Sequence, residues 1–215
     1  MKKKIAIEGL HKIWQRVPPD YYEAAIKRNV LQRIWHGKRL QLIKKLLDPE
    51  TKRILDLGCA AGHFTTAMQA YLPDTRVVGV DIYEPFTSLF RKKYPRVACI
   101  CADAHHLPFD KGSFDCVVLS EVLDHVVDPG VVLSEVRRVL ASDGSLVVSL
   151  DELSLPFRIV WWFWIRLEPG KVWKGAHLHH FSSVAFERLL RLSGFSVEQR
   201  ATGLLGMIRF FKARR

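Results

Sequence analysis

The stretch ILDLGCAAG, residues 54–62, decides how this chain folds. An apolar run typical of a buried strand stops at Asp56, and three small residues and two glycines follow within six positions. Gly58 and Gly62 permit a tight turn, and the small side chains between them let a ligand lie against the main chain. Ligands of parallel sheets bind beyond the carboxyl ends of the strands, where this turn falls. A carboxylate there repels a phosphate and suits a cationic ligand.

Short apolar runs alternate with helical patterns along the middle of the chain. The runs typical of strands buried on both faces are residues 53–57, 76–80, 97–101, 114–120 and 144–150. The helical patterns are residues 21–47, 62–71, 84–94, 120–126 and 130–141. Asp20 is placed to cap the first helix. This alternation predicts βαβ units and a parallel sheet. After residue 180, a helix ended by Gly194 and two more strands predict an antiparallel hairpin, which makes an α/β, doubly wound sheet of seven strands.

A chain of 215 residues with 48% hydrophobic content fits a single domain. Its segments are a basic helical cap (1–52), a core (53–150), an aromatic segment (151–180), and a closing helix and hairpin (181–215). No run reaches the roughly 18–20 apolar residues of a membrane span. The basic N-terminus lacks the apolar stretch and cleavage site of a signal peptide. The four cysteines lie in apolar or glycine-rich surroundings, so we expect reduced, buried thiols and a cytoplasmic protein.

The net charge of +11 is concentrated at the N-terminus. Residues 1–53 hold 14 Lys/Arg and 5 Asp/Glu, a net charge of +9, which leaves only +2 for the rest of the chain. A basic segment of this kind attracts nucleic acid, an anionic membrane surface or an acidic substrate. Charge alone does not choose among these partners.

Acidic residues also close the second and third predicted strands. Asp81 follows Asp56 by 25 residues, where a carboxylate can accept hydrogen bonds from both hydroxyls of a ribose. Asp103 ends the next run, where it can accept from an adenine amino group. Because buried carboxylates need partners, the ordered set predicts a nucleoside ligand with a cationic group. The alternative for each residue is a helix cap or a solvated turn.

Four stretches carry a resemblance to a known family: ILDLGCAAG, VVGVDI, ADAHHLPFDKGSFDCVVLSEVLDHVVDP and LSEVRRVLASDGSLVVS. Residues 53–150 resemble the class I S-adenosylmethionine-dependent methyltransferases, in the broad type 11 group that acts on small molecules and lipids. HLHHFSSVAFERLLRLSGF matches more loosely, and Ala60 stands where the family often has glycine. The resemblance implies a Rossmann-like fold, S-adenosyl-L-methionine as the cofactor and S-adenosyl-L-homocysteine as the product.

The resemblance also assigns cofactor residues. The methionine end would lie on the turn after the first strand, the ribose and the adenine would lie at the next two strand ends, and the fourth strand would line the floor near the sulfonium. The residues, in that order, are Asp56, Gly58, Cys59, Ala60 and Gly62; Asp81 and Ile82; Asp103 and Ala104; Ser120 and Glu121.

A general base is needed only if the acceptor loses a proton, and two histidines are candidates. His125 follows the fourth strand and is the first candidate, and His177 is the second; a structural hydrogen-bonded histidine is the alternative for both. His105 and His106 are expected to be solvated. HLHH suggests a metal, but no cysteine or paired carboxylate lies near it at ligand spacing, so no metal is expected.

Two segments outside the core are candidates for contact with the acceptor. In the N-terminal helix, Tyr22, His36 and Arg39 are expected to reach the cofactor carboxylate or the substrate, unless they form only a solvated face. Residues 155–173 are predicted to form a lid, with Trp161, Trp162 and Trp164 facing either a membrane or an apolar substrate. A helix packed on the core and a dimer interface stay open as alternatives.

The aromatic lid and the basic N-terminus together favour a small, apolar or lipid-like acceptor, met at an anionic membrane surface. Localisation is therefore expected in the cytoplasm, with a peripheral contact to the inner face of the membrane. An RNA (tRNA) methyltransferase using the basic segment and a non-catalytic S-adenosylmethionine-binding protein are the alternatives. Ala60 and His63 argue against a nicotinamide dehydrogenase, whose fingerprint wants glycines there. The acceptor atom and the oligomeric state stay open.

Overall fold

The computed structural model describes residues 14–167 and 170–215. In these residues, seven strands form one sheet. In chain order they are β1 (Arg53–Leu57), β2 (Arg76–Asp81), β3 (Ala98–Cys101), β4 (Phe114–Ser120), β5 (Leu140–Asp151), β6 (Ser196–Gly203) and β7 (Ile208–Arg214). Their order across the sheet is β3-β2-β1-β4-β5-β7-β6. The first five strands are parallel, and β7 runs antiparallel to both β5 and β6. The predicted fold class is confirmed.

Helices cover both faces of the sheet. They are α1 (Tyr21–Arg28), α2 (Val30–Leu46), α3 (His63–Tyr71), α4 (Glu84–Lys93), α5 (Pro129–Val139), α6 (Leu155–Trp164) and α7 (Ser183–Leu192), with 3-10 turns at Gly170–Trp173 and Leu204–Gly206. None of the helices in the described part of the chain has the length and hydrophobicity needed to cross a bilayer.

Successive residues of the central strands face opposite sides of the sheet, which divides the core in two. Leu55 of β1 packs in the cluster that contains the buried faces of α5 and α7. Ile54 packs in the second cluster, beside the buried residues of α2 and Met68 of α3. The chain reverses its winding between β1 and β4, so a crevice opens at the carboxyl ends of these neighbouring strands.

The prediction of one continuous helix over residues 21–47 is wrong, because the structure has two helices there, α1 and α2. Asn29 interrupts it with an extended backbone, φ −125° and ψ 116°, and its side chain accepts from the N–H of Leu31 at 2.9 Å and of Gln32 at 3.2 Å. Asn29 therefore caps α2. Asp20 precedes α1 as predicted, but its side chain makes no capping hydrogen bond.

Two further predictions are corrected. Residues 120–126 do not form a helix: Ser120 ends β4, bends and turns follow it, and Glu121 has a φ of +58°, which helical backbone does not allow. Cys59 and Cys116 are buried as expected, but Cys99 is partly buried and Cys101 is exposed. The reason is that β3 is an edge strand of the sheet.

Candidate functional site

A cavity of about 500 Å³ lies at the carboxyl ends of β1, β2 and β4. All the residues predicted to hold the cofactor line it except Gly62. Tyr22, Arg39 and His125 also line it, whereas His36 and His177 lie behind its wall. The tryptophans of the predicted lid, at positions 161, 162 and 164, do not reach it. The sequence therefore located the cofactor side of the cavity better than the opposite side.

The turn after β1 is held open by its backbone conformation. Gly58 and Gly62 have φ values of +80° and +86°, and Ala60 has a φ of +47°, which an L-residue with a side chain seldom adopts. The Ala60 N–H donates to Oδ2 of Asp81 at 2.9 Å, and this bond holds the strained residue. Gly62 has a packing role, because a Cβ there would approach the Phe90 ring to 2.8 Å.

Asp81 is placed to bind a diol. Its Oδ2 accepts from Ala60 N–H and its Oδ1 accepts from Tyr83 N–H, both at 2.9 Å. Each carboxylate oxygen has two lone pairs, so one acceptor position on each oxygen remains for a hydroxyl. Burial raises the pKa of Asp81, and the backbone N–H donors oppose that shift. The arrangement fits the two hydroxyls of a ribose.

Asp56 is a buried carboxyl that needs a cationic partner. Its Oδ2 accepts from the Thr65 hydroxyl at 2.5 Å, and the side chain lines the cavity. Burial raises its pKa to about 6, against the opposing effect of the Thr65 hydrogen bond. An ammonium group in the cavity would favour the ionised form, so the site fits the amino end of S-adenosylmethionine.

Asp103 is oriented by a histidine that was expected to be solvated. His105 Nε2 accepts from the Asp128 N–H at 3.2 Å, so Nδ1 carries the proton and donates to Asp103 Oδ1 at 2.6 Å. The side chain of His105 is only 15% exposed, which corrects the prediction. Burial disfavours the charged Asp103, but the His105 hydrogen bonds prevail and lower its pKa. The orientation of Asp103 suits an adenine amino group.

Arg39 joins α2 to the end of β4. The residue is 3% exposed, and its Nη2 donates to the Ser120 carbonyl oxygen at 2.9 Å. Its Nη1 lies 3.0 Å from Glu121 Oε2 and 3.2 Å from His36 Nδ1. His36 must then accept at Nδ1 and donate from Nε2 to Gln32 at 3.1 Å. His36 is thus a positioning residue, and burial keeps its pKa low and its ring neutral.

Glu121 also faces a second buried carboxyl group. Oε1 of Glu121 and Oδ1 of Asp151 are buried, and neither finds a hydrogen-bond donor in the described part of the chain. Burial raises the pKa of both, and their mutual repulsion raises that of Asp151 further. Of the two, Asp151 is therefore the carboxyl group that more readily holds a proton. Glu121 faces Arg39, with Oε2 3.0 Å from Nη1.

Beside the floor, His125 and His177 converge on Asp124. His125 Nδ1 donates to the Ala176 carbonyl oxygen at 2.9 Å, which leaves a lone pair on Nε2. That Nε2 lies 3.6 Å from Asp124 Oδ2, and His177 Nε2 lies 3.1 Å from the same oxygen. Burial lowers the pKa of His177 to about 4, so its ring is neutral at pH 7 and Nε2–H donates to Asp124.

Sequence reasoning missed Asp124. The sequence predicts no metal site, because no paired carboxylate stands near HLHH along the chain. In space, however, Asp124 lies against His177. The ligand atoms of Asp124, His125 and His177 lie within 4.8 Å of one another, a donor set that zinc accepts. The only signal in the sequence was the adjacency of Asp124 and His125 at the end of β4.

The lid helix α6 has an inner and an outer face. On the inner face, Trp161 stacks on His177 with ring centroids 4.8 Å apart, and Phe157 stacks on Trp161 at 5.7 Å. Trp164 is partly buried on the same side, and Trp162 is 51% exposed on the other. The lid thus contacts the His125–His177 pair through Trp161, one layer away from the cavity.

Comparison with known proteins adds the following findings. Residues 55–148 match a family model described as a methyltransferase domain. The chain is 29% identical over 181 residues to a demethylmenaquinone methyltransferase of Lactobacillus johnsonii, with 79% of this chain and 72% of that protein aligned. It is 31% identical over 147 residues to a malonyl-[acyl-carrier protein] O-methyltransferase of Legionella pneumophila, with 64% and 48% aligned. A solved structure from Pyrococcus horikoshii superposes with a TM-score of 0.73 at 22% identity, covering 94% of this chain and 97% of that one.

The chain spans about half the length, or less, of most of the curated relatives it matches. The likeness to the solved structure, at 22% identity, shows the fold alone. The acceptors in the names of the relatives are therefore statements about those proteins.

Proposed function

We propose that the chain, whose residues 55–148 match a methyltransferase domain, is a class I S-adenosylmethionine-dependent methyltransferase of type 11 that transfers a methyl group from S-adenosylmethionine to a small, apolar or lipid-like acceptor. The acceptor gives up a proton in the reaction. The names of two relatives, a demethylmenaquinone and a malonyl-[acyl-carrier protein] methyltransferase, support this acceptor class.

One observation supports the proposal most. The cavity offers each part of the cofactor a group of matching chemistry, in the order in which the strands end: Asp56 for the ammonium, Asp81 for the ribose and Asp103 for the adenine. The side chain of Asp56 is 3% exposed and that of Asp81 is partly buried, and two carboxylates in the cavity favour binding of a positively charged ligand over a phosphate.

The test is calorimetry with S-adenosylmethionine and S-adenosylhomocysteine, followed by methyl transfer from a radiolabelled cofactor. The acceptor panel contains a quinol, an acyl thioester, an aliphatic amine and bulk tRNA. We expect saturable cofactor binding and transfer to the quinol or the thioester. Transfer to tRNA alone would replace the proposal by the RNA alternative. Binding without transfer would favour a non-catalytic protein, and no binding would reject the assignment.

We assign the general base to His125. The cofactor supplies an electrophilic methyl group on a sulfonium, and the protein aligns the acceptor with it and excludes water. His125 would take up the proton that the acceptor loses, because the lone pair on its Nε2 is free. The resulting imidazolium is stabilised by Asp124 Oδ2, 3.6 Å away.

His177 is a positioning residue and not a second base. Its Nε2–H donates to Asp124, and its ring is held between that carboxylate and Trp161. A group already engaged as a donor cannot take up a proton at the same atom. His177 therefore fixes Asp124 in front of His125.

Substitution of the two histidines separates these roles. His125→Asn should reduce kcat by about 10²–10⁴-fold with little change in cofactor affinity. His177→Gln retains a donor and should change the pH profile of kcat more than its plateau. A loss of activity on chelation, restored by Zn²⁺, would instead identify the three residues as metal ligands. An unchanged kcat in His125→Asn would overturn the assignment of the base.

Peripheral contact with an anionic membrane is part of the same proposal. An apolar acceptor partitions into the bilayer, so an enzyme that binds the bilayer surface meets it at high concentration. The basic segment up to residue 53, with a net charge of +9, supports attraction to anionic lipid.

A further inference from the structure

Eight large apolar side chains are more than half exposed on two helices beside the cavity. They are Val30, Leu31 and Ile34 at the start of α2, and Leu155, Ile159, Trp162, Phe163 and Leu167 on α6 and just after it. Each is between 51% and 69% exposed. We call this set the outer face. A monomer rarely exposes so many large apolar side chains close together without a partner.

The two helices that carry the outer face are in contact with each other. Trp35 of α2 and Phe157 of α6 have ring centroids 6.4 Å apart. Leu31 stands one helical turn before Trp35, and residues four apart lie on the same side of a helix. The exposed apolar side chains are therefore carried by two neighbouring helices.

The core already accounts for the inner side of α6. Phe157 is 4% exposed, and Trp161 stacks on His177. Packing on the core, one of the alternatives left open by the sequence, thus explains this side of the helix. It leaves Ile159, Trp162 and Phe163 on the opposite side, each more than half exposed.

The charges around the outer face are almost all positive. Apart from Arg39, which lines the cavity, residues 30–46 and 155–167 hold six Lys/Arg and no Asp/Glu. Arg166 lies over the Trp162 ring, 3.8 Å from its centroid, and donates to the Trp162 carbonyl oxygen at 2.7 Å. Tryptophan beside arginine is typical of a membrane interface, where the ring enters the headgroup layer and the cation meets phosphate.

We propose that the outer face docks the protein onto a bilayer of anionic lipid, with Trp162 and Phe163 inserted into the interface. The inference rests on the proposed function, because it explains how a lipid-like acceptor is reached. A symmetric dimer through the same face would bring two basic rims together, and like charges across an interface oppose association. An anionic bilayer neutralises the rim and covers the apolar side chains.

The experiment measures sedimentation with two kinds of vesicle, phosphatidylcholine alone and phosphatidylcholine mixed with phosphatidylglycerol. The variant is the pair Trp162→Ser and Phe163→Ser. Its matched control is Val184→Ser with Leu192→Ser, two apolar side chains on α7 that are 79% and 77% exposed. We expect binding to the anionic vesicles, weakened at least about tenfold in the first variant and unchanged in the control.

A second pair of variants tests the charge. Arg158→Gln and Arg166→Gln should each weaken binding to the phosphatidylglycerol vesicles about fivefold at low salt. Added salt should reduce binding of the unchanged protein in the same way.

Calorimetry with S-adenosylmethionine on the same samples separates the two proposals. Cofactor binding without vesicle binding would overturn the docking surface and leave the proposed function intact. A dimer in sedimentation velocity that Trp162→Ser with Phe163→Ser dissolves would identify a second copy as the occupant, and would also overturn the proposal. Vesicle binding without cofactor binding would reject the proposed function alone.

Discussion

The hydrogen bonds that shape the cofactor side of the cavity join residues close in the chain, and those that shape the acceptor side join distant ones. Ala60 and Asp81 are 21 residues apart, Asp56 and Thr65 are 9 apart, and Asp103 pairs with a residue two positions away. Across the cavity, Arg39 reaches Ser120 over 81 residues and His125 reaches Ala176 over 51.

The two sides of the cavity therefore depend on different parts of the fold. The cofactor side is a property of the strand ends themselves, so it needs only that β1, β2 and β3 pair in register. The acceptor side exists only when α2 and the 170–180 segment dock against the 120–125 loop. Substitutions on the cofactor side should therefore change ligand affinity first, and substitutions on the acceptor side should change stability and turnover first.

The sharpest test of this contrast is Arg39→Met. The substitution keeps the apolar volume but leaves Glu121 buried without its cation, so it should lower the free energy of unfolding by about 3–5 kcal/mol in urea denaturation. Arg53→Met removes an ion pair in which Arg53 is 46% exposed, and it should lower this energy by less than about 1 kcal/mol.

The double variant Arg39→Met with Glu121→Gln removes both charges and should recover part of the stability. Equal effects of Arg39→Met and Arg53→Met would show that the docking of α2 does not depend on the buried ion pair.

The same contrast explains what could be predicted from the sequence. ILDLGCAAG and the acidic strand ends carry their structural reasons within a few residues, so the sheet and the residues that line the cavity at the strand ends could be predicted. The sequence gives no sign that Asp124 meets His177, because the pairing depends on a chain reversal 53 residues later. Likewise, the extended backbone of Asn29 depends on its side chain capping α2, and the helical spacing of the apolar residues continues across it.

On the cofactor side, Asp81→Ala should have the largest effect on affinity. The substitution removes the carboxylate that would accept from the ribose hydroxyls. It also removes the acceptor of the Ala60 and Tyr83 N–H groups. The Kd for S-adenosylhomocysteine should rise about 100-fold in calorimetry. Asp74→Ala, at an exposed carboxylate outside the cavity, is the control. A rise of less than about threefold would refute the role of Asp81.

The pH dependence of cofactor binding tests Asp56. Its pKa in the free protein is about 6, raised by burial, and an ammonium partner lowers it in the complex. Affinity should therefore be constant above pH 7 and fall by up to about tenfold per pH unit below 6, because protonation removes the charge that binds the ammonium. Asp56→Asn should bind more weakly and lose this slope. A slope that persists in the variant would place the titrating group elsewhere.

The smallest effect is expected at Ala60, where the family often has glycine. Its φ of +47° is strained by about 1 kcal/mol, but glycine loses a similar amount through the entropy of the unfolded chain. Ala60→Gly should therefore change the free energy of unfolding by less than about 0.5 kcal/mol and the Kd by less than about threefold. Ala60→Val is the contrasting variant, because a β-branched residue tolerates positive φ poorly and its extra methyl groups would occupy the turn where the cofactor lies. If the Ala60→Val variant binds the cofactor as tightly as the unchanged protein does, the ligand does not lie against this turn. The proposal that the strand-end turns form the cofactor side would then be wrong.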